Sequence, residues 1–477
     1  MDWEGASIDM DKVVHSLKEV IALAGVKSGI RISFHHHLRN GDFVLNMVLD
    51  ALAEAGIRDL DVNASSLFDC HAPLVDHIKN GVVTHLKCNY MSAGVGRAIS
   101  HGVLSTPVEF RTHGGRPADI VSGKTPIDVA FIAAPTADPM GNCTGKLGRS
   151  ACGSLGYAFP DAMYAKKVVV ITDNLVPYPL TERSIDETYV DYVVPVEAIG
   201  DPSGIVSGTT RITRDPVGLV MAETAARVIQ ASGLLKDGFS FQTGAGGASL
   251  AAAKYLKEIM LREKIQGSFG LGGITGYMVD MLQAGCFRKL LDVQCFDLKA
   301  VESIRDNPNH SEVSAMQYAS PNGKSAAVDS LDVVILGATE VDTQFNVNVH
   351  TDSNGSIMGG SGGHSDTAAG AKLAMIIAPL SRARLPIVTD RVQCVSTPGS
   401  SIDVLVTQRG VAVNPAREDL RRTLTDAGLP VCSMEELKRR AEAICGQPRP
   451  VQHGSRVVAN VIYRDGTLLD QIYNVKD

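Results

Sequence analysis

The chain repeats itself. Ile127-Asp128-Val129-Ala130-Phe131-Ile132-Ala133-Ala134 returns 204 positions later as Leu331-Asp332-Val333-Val334-Ile335-Leu336-Gly337-Ala338. The register continues through Ala137-Asp138 against Val341-Asp342 and Asn142 against Asn346. Buried strands draw on few residue types, so the apolar matches alone carry little weight. The polar matches point to a duplication, and Ser33-Phe34 against Ser240-Phe241 is the expected head of each half. Single hydrophobic cores stop growing at about 250–300 residues, so 477 residues fit two lobes of similar design. Such an arrangement places its ligand between the lobes, at the C-terminal ends of the strands.

The elements alternate as an α/β fold requires. Val13, Leu17, Val20 and Ile21 recur at helical spacing before Gly25; Ile30 to Phe34 reads as a strand; Asp42 is a helix N-cap. Val129 to Ala133 and Val168 to Thr172 are short β-branched runs, suited to strands buried on both faces of a parallel sheet. Asp215-Pro216 starts a helix that Gly233 ends. We therefore expect two open, mostly parallel α/β domains in tandem, residues 1–235 and 236–477. Near the end, Ser433 and Glu436 suggest a capping box, and Asp465-Gly466 between two apolar runs signals a hairpin.

Composition narrows the function. A net charge of −7 with both signs interspersed lacks the basic footprint of a nucleic-acid binder. No apolar run reaches the roughly 18 residues of a membrane span. The acidic opening Met1-Asp2-Trp3-Glu4 does not resemble a signal peptide, so a cytoplasmic location is expected. The nine cysteines contain no Cys-x-x-Cys pair and read as small buried hydrophobes.

Three glycine clusters stand out in the second half. Thr243-Gly244-Ala245-Gly246-Gly247-Ala248-Ser249 lies between a strand and a helix; Gly270-Leu271-Gly272-Gly273 follows an apolar run; Gly359-Gly360-Ser361-Gly362-Gly363 precedes a helical stretch from Thr367 to Ile376. Glycine lets the backbone approach a ligand, and converging N–H groups can bind a phosphate or a developing oxyanion. Gly244, Gly246, Gly247, Gly270, Gly272, Gly273, Gly359 and Gly360 are candidates for holding a CoA-type group. In the first half, His35-His36-His37 closes a strand. Neighbours alternate faces on an extended segment, and no carboxylate pair completes a metal site, so no metal is expected. His35 and His37 instead suit hydrogen bonding to a carboxylate substrate. Arg39, and Arg111 and Arg116 in Arg-Thr-His-Gly-Gly-Arg, suit bidentate carboxylate binding.

Ile32-Ser33-Phe34-His35-His36-His37-Leu38-Arg39-Asn40-Gly41-Asp42 resembles the N-terminal signature of citrate lyase alpha subunits. Gly200-Asp201-Pro202-Ser203-Gly204-Ile205-Val206-Ser207-Gly208-Thr209-Thr210-Arg211 and Tyr463-Arg464-Asp465-Gly466-Thr467 are similar to that family as well. The resemblance spans nearly the whole chain. It implies the two-domain CoA-transferase fold and an exchange in which acetyl-carrier plus citrate gives citryl-carrier plus acetate. The thioester would come from a small carrier (gamma) subunit or from acetyl-CoA, with no cofactor covalently held here. A beta subunit would then cleave citryl-carrier to oxaloacetate and acetyl-carrier, and a homo-oligomer is expected.

Many relatives in the wider transferase group use a glutamate nucleophile in Ser-Glu-Asn-Gly. The matching stretch here is Ser268-Phe269-Gly270-Leu271, without a glutamate. Glu340 ends a strand and could substitute, yet by resemblance it matches a glutamine in those relatives. The expectation is direct transfer in a ternary complex, with Gly362 and Gly363 stabilising the oxyanion by their N–H groups, because they match the glycine pair lining the acyl site in relatives. Rival readings are a stand-alone acetate or hydroxyacyl CoA-transferase, a citramalate lyase alpha subunit, and a ligand-binding regulator. The last would need a basic recognition helix, and the single N-terminal helix is not basic.

Overall fold

The computed structural model describes residues 11–206, 211–244 and 246–476. Ser207 to Thr210 of the Gly200–Arg211 motif, Ala245 of the first glycine loop and the Met1–Glu4 terminus lie outside the described residues. Two nine-stranded sheets dominate. In the first, Arg31–Phe34 pairs with Leu60–Ala64 on one side and Val129–Ala133 on the other. Val83–Cys88 and Val108–Phe110 extend one flank, and Lys167–Thr172 and Tyr192–Pro195 the other. In chain order the strands run 4-3-2-1-5-6-7 across the sheet. The second sheet repeats this order, with Ser240–Thr243 between Gly267–Ile274 and Val333–Leu336. All pairings are parallel in both series, and the order reverses beside strand 1, where open α/β sheets form their binding crevice.

The polar pairs of the repeat have one job in both lobes. Asp138 Oδ1 accepts from the N–H groups of Met140, Gly141 and Asn142, and Oδ2 accepts from Asn142 Nδ2. Asp342 binds Gln344, Asn346 and the Asn346 amide in the same way. Asp128 accepts from Arg31 N–H and meets Lys166, as Asp332 accepts from Ser240 N–H and meets Lys372. These bonds correct one expected match. Ile32 faces Val129 and Phe241 faces Val333, so Ser33 corresponds to Gln242 and not to Ser240. A four-residue strand carries too little side-chain information to fix its own register.

Other expectations also change. Gly270, Gly272 and Gly273 lie within the Gly267–Ile274 strand, with a bulge at Gly272/Gly273, and not in a loop. The helix after Gly363 is short, His364–Gly370, and Leu373–Ile377 is a fully buried strand beside Val333–Leu336. Contacts also cross the boundary expected at residue 235. Pro216–Ala231, capped by Asp215 through Gly218 N–H, packs on Gly247–Glu263 and on strands Leu373–Ile377 and Val404–Thr407 of the second lobe. In the other direction, the hairpin of His453–Ile462 and Leu468–Val475 joins the first sheet, parallel to Val108–Phe110. Among the described residues no helix is long and apolar enough to cross a membrane.

Candidate active site

The strand Arg31–Phe34 ends at the order reversal of the first sheet and delivers His35, His36 and His37 to the face the second lobe covers. Gln294 of the second lobe seals the join by donating to His36 O at 2.7 Å. The rings form one stack. His35 and His37 lie 6.0 Å apart, His36 sits 4.6 Å from Tyr157, and Tyr157 sits 4.5 Å from His113. Burial drives the pKa of His36 and His37 well below the ordinary imidazole value, and neighbouring cationic groups add to the effect. Burial and then Arg116 take His113 down to about 3. These three rings are neutral at physiological pH and act through hydrogen bonds, not charge. Both nitrogens of His37, and Nδ1 of His113, are buried without a partner among the described residues.

Of the three candidate arginines, two are committed to the protein. Arg111 binds Asp119, Tyr463 O and Gly115 O, which ties the C-terminal hairpin to the first lobe. Arg116 grips Asp161 with two bonds of 2.7 Å and Asn63 with a third. It is a positioning group, since Asp161 Oδ2 stands 3.1 Å from His35 Nε2. Neither guanidinium is available to a substrate. Arg39 differs. It adopts φ 52° in a tight turn whose Gly41 abuts Asp201 and Gly204, and its guanidinium lies 4.5 Å from the Phe296 ring centre and 5.4 Å from that of Phe68. The guanidinium makes no ion pair or hydrogen bond among the described residues. Burial lowers its pKa, while Tyr90 and Tyr157 pull the other way; it remains a cation at neutral pH.

The glycine clusters divide. Gly272, at φ +104°, lets Gln242 lie across it, and a Cβ there would come 2.7 Å from the Gln242 amide carbon. Gly273 gives way to Phe296, the ring under Arg39. Gln242 Nε2 donates to Tyr318 Oη at 3.0 Å, and a Cβ on Gly363 would meet that same Oη at 2.5 Å. Gln242, Tyr318, Gly272 and Gly363 therefore form one wall facing the histidine stack, to which Gly362 is joined by its carbonyl, accepting from His113 N–H at 2.8 Å. Gly362 N–H already donates to Asn89 O, which takes it out of the expected oxyanion pair. Gly363 N–H has no acceptor among the described residues. Gly359 allows contact with the Val349 backbone of its own lobe and Gly360 with that of Asn89-Tyr90 across the lobes, and Gly359 O accepts from Met91 N–H of the first lobe. Gly270 makes room for Met278 and Leu290. Gly244 donates to Ile335 O, and Gly246 and Gly247 lead away from the wall toward Arg211 and Thr213.

The carboxylates around the cleft have protein partners, although Asp292 Oδ1 is buried without one among the described residues. Glu340 accepts from Asn348 Nδ2 and Gln393 N–H and touches none of the cleft residues above; it holds the 348–353 turn, and burial raises its pKa. Asp292 binds His310 and Cys295. Asp366 clamps the lobes together through Thr112 Oγ1 and Gly114 N–H. Tyr157, Tyr318, Gln242 and Phe296 were missed in the sequence, because no local motif marks a residue whose role is set by the opposite lobe.

Burial pushes the Asp366 carboxyl up to about 6, against the pull of Gly114 and Thr112. The folded state therefore favours the protonated form, and stability from this group rises as pH falls from 6 toward the unfolded value near 4. The charged form costs roughly 3 kcal/mol at pH 8. Asp366→Asn should thus raise the thermal midpoint at pH 8 and flatten its change between pH 4.5 and 7. An unaltered profile would show that Asp366 is ionised without penalty. His36, His37 and His113 should add no inflection to activity between pH 6.5 and 8, read in the pH–rate profile of the same variant.

Comparison with known proteins gives concordant matches. The family model described as citrate lyase, alpha subunit (CitF) matches residues 10–475. The citrate lyase alpha chain of Klebsiella pneumoniae is 50% identical over 466 residues, covering 98% of this chain and 92% of that one. That of Escherichia coli (strain K12) is 49% identical, covering 98% and 91%. Among solved structures, the alpha subunit of citrate lyase from Streptococcus mutans, in complex with citrate, superposes with a TM-score of 0.97 at 49% identity, covering 99% of this chain and 93% of that one. A Pseudomonas malonate decarboxylase heterotetramer bound to malonate shares the fold alone, with a TM-score of 0.69 at 18% identity over 92% and 84% of the two chains.

Proposed function

The chain belongs to the citrate lyase alpha subunit family, and from that premise we propose that it exchanges acetate for citrate on a CoA-type thioester, directly and without an enzyme-bound acyl group. The observation that carries this reading is the unpaired Arg39 guanidinium, a cation held between two aromatic rings beside neutral imidazoles. It offers a fork to one citrate carboxylate, as charge-assisted binding requires. His37, with two orphaned ring nitrogens, can take a second polar group of the same ligand. The citrate-bound relative from Streptococcus mutans supports the choice of acid.

In the first step a citrate carboxylate oxygen attacks the acetyl carbonyl. The oxyanion that forms lies against Gly363 N–H and the Tyr318–Gln242 pair, and collapse expels the thiolate and leaves a mixed anhydride. The thiolate then attacks the citryl carbonyl of the anhydride and releases acetate. Holding both reactants in one cleft supplies about 7–11 kcal/mol of the barrier, and fixed donors add to that. Engagement of Glu340, Asp161 and Asp366 with protein groups supports a route without an enzyme carboxylate. The carrier (gamma) and citryl-cleaving (beta) subunits are the partners this reading requires. To test it, the chain is incubated with acetyl-CoA and treated with borohydride or hydroxylamine, then digested and weighed by mass spectrometry. No modified glutamate or aspartate is expected, and citrate should release labelled acetate in a single turnover. A glutamyl or aspartyl adduct that forms as fast as turnover overturns the direct route.

A further inference from the structure

A second cavity, of about 880 Å³, opens where residues 211–214 cross the helix Gly247–Glu263. Arg211, Arg214, Lys254 and Tyr255 line it, with Thr213 and Leu219. It belongs to none of the side chains of the cleft described above. Its three cations make no ion pair and no hydrogen bond among the described residues, although the chain as a whole carries −7. The nearest carboxylate in sequence, Asp215, is committed to capping the helix after it through Gly218 N–H. Three unpaired cations around one concavity in an acidic protein repel one another, and an anion relieves that repulsion.

Only a short stretch of chain separates the cavity from the cleft wall. Gln242 and Thr243 end the strand that builds the cleft wall, and Gly247 is four residues on, no more than about 14 Å away even if fully extended. There the carbonyl of Arg211 comes so close that a Cβ on Gly247 would sit 2.9 Å from it, and Thr213 N–H donates to Gly247 O at 3.1 Å. The described residues between Thr243 and Ala248 are Gly244, Gly246 and Gly247, none of which carries a side chain.

We propose that this cavity binds the phosphate groups of the thioester's arm, whether in free acyl-CoA or in a phosphodiester-linked arm on a carrier protein. Arg211 and Arg214 grip the phosphate oxygens and Lys254 neutralises the remaining charge. The inference rests on the transferase reading and deepens it, assigning the distal end of the same substrate. It also gives Gly246 and Gly247 a role as backbone that the arm can pass.

Calorimetric binding of CoA and of phosphate-free pantetheine to the full chain tests it, comparing wild type with Arg211→Gln/Arg214→Gln/Lys254→Gln. CoA should lose about tenfold or more in affinity, the loss expected for charge-assisted bonds, with pantetheine unchanged and inorganic diphosphate competing with CoA only in the wild type. Steady-state exchange then separates the sources. A raised KM for an acetylated carrier protein assigns the cavity to the carrier's arm, and one confined to acetyl-CoA assigns it to the free thioester. Equal loss for CoA and pantetheine, or no loss for either, overturns the proposal. Because the calorimetric result needs no turnover, a wild-type chain that fails to exchange acetate for citrate counts against the transferase reading and leaves this test standing.

Discussion

Arg39→Gln should abolish most citrate-dependent exchange while leaving the fold as stable as before or more so. Truncating one partner of a buried charge pair costs about 2–5 kcal/mol, or roughly thirty-fold to several thousand-fold in kcat/KM for citrate. The effect should fall on the citrate KM and kcat, with little change in the KM of the thioester. Stability moves the other way by a comparison of magnitudes. The contacts with Phe68 and Phe296 contribute about 0.5–2 kcal/mol, and the unpaired charge, partly withdrawn from water, carries a desolvation cost that offsets them. The thermal midpoint of the variant should therefore be unchanged or higher. Arg39→Lys should recover little, because a point charge cannot reproduce the fork. Unchanged citrate kinetics in Arg39→Gln would remove the proposed substrate anchor.

Arg116→Met should have the largest effect on stability. Arg116 and Asp161 are 3% and 0% exposed in their side chains. Although burial disfavours the charge, Arg116 and then His35 hold the Asp161 carboxyl well below the ordinary range. Asp161 therefore contributes stability that is present above its unfolded pKa near 4 and is lost only in strong acid. Removing the guanidinium leaves a buried carboxylate without its partner, which costs about 3–5 kcal/mol and lowers the thermal midpoint by on the order of 10 °C in a lobe of this size. Adding Asp161→Asn to Arg116→Met should restore part of the loss, since the charge left behind is the main penalty. A double variant no better than the single one would mean that packing of the long side chain, and not its charge, matters at this site.

Much of the architecture was legible because it rests on side chains with fixed local tasks. Asp138 and Asn142 form a turn within five residues, and Asp342 and Asn346 repeat it, so their spacing is visible along the chain. Register was not legible, because Ile32 and Phe241 are equivalent only through the strands beside them. Nor could the sequence divide three arginines between structure and substrate. Arg116 meets Asp161 across 45 residues and Arg111 meets Tyr463 across 352, and only Arg39 is left over. The glycines show the same limit. Gly362 and Gly363 are adjacent and look alike in sequence, yet one N–H is tied to Asn89 and its neighbour is not.

The final hairpin has a consequence for synthesis. Val108–Phe110 has an open flank until His453–Ile462 lies beside it, and His453 comes 343 positions after Phe110. At about 5–20 residues per second, the ribosome takes roughly 20–70 s to deliver them. Throughout that interval the nascent amino-terminal half displays a raw strand edge of the kind that recruits other chains, so its maturation waits on the hairpin's emergence from the exit tunnel.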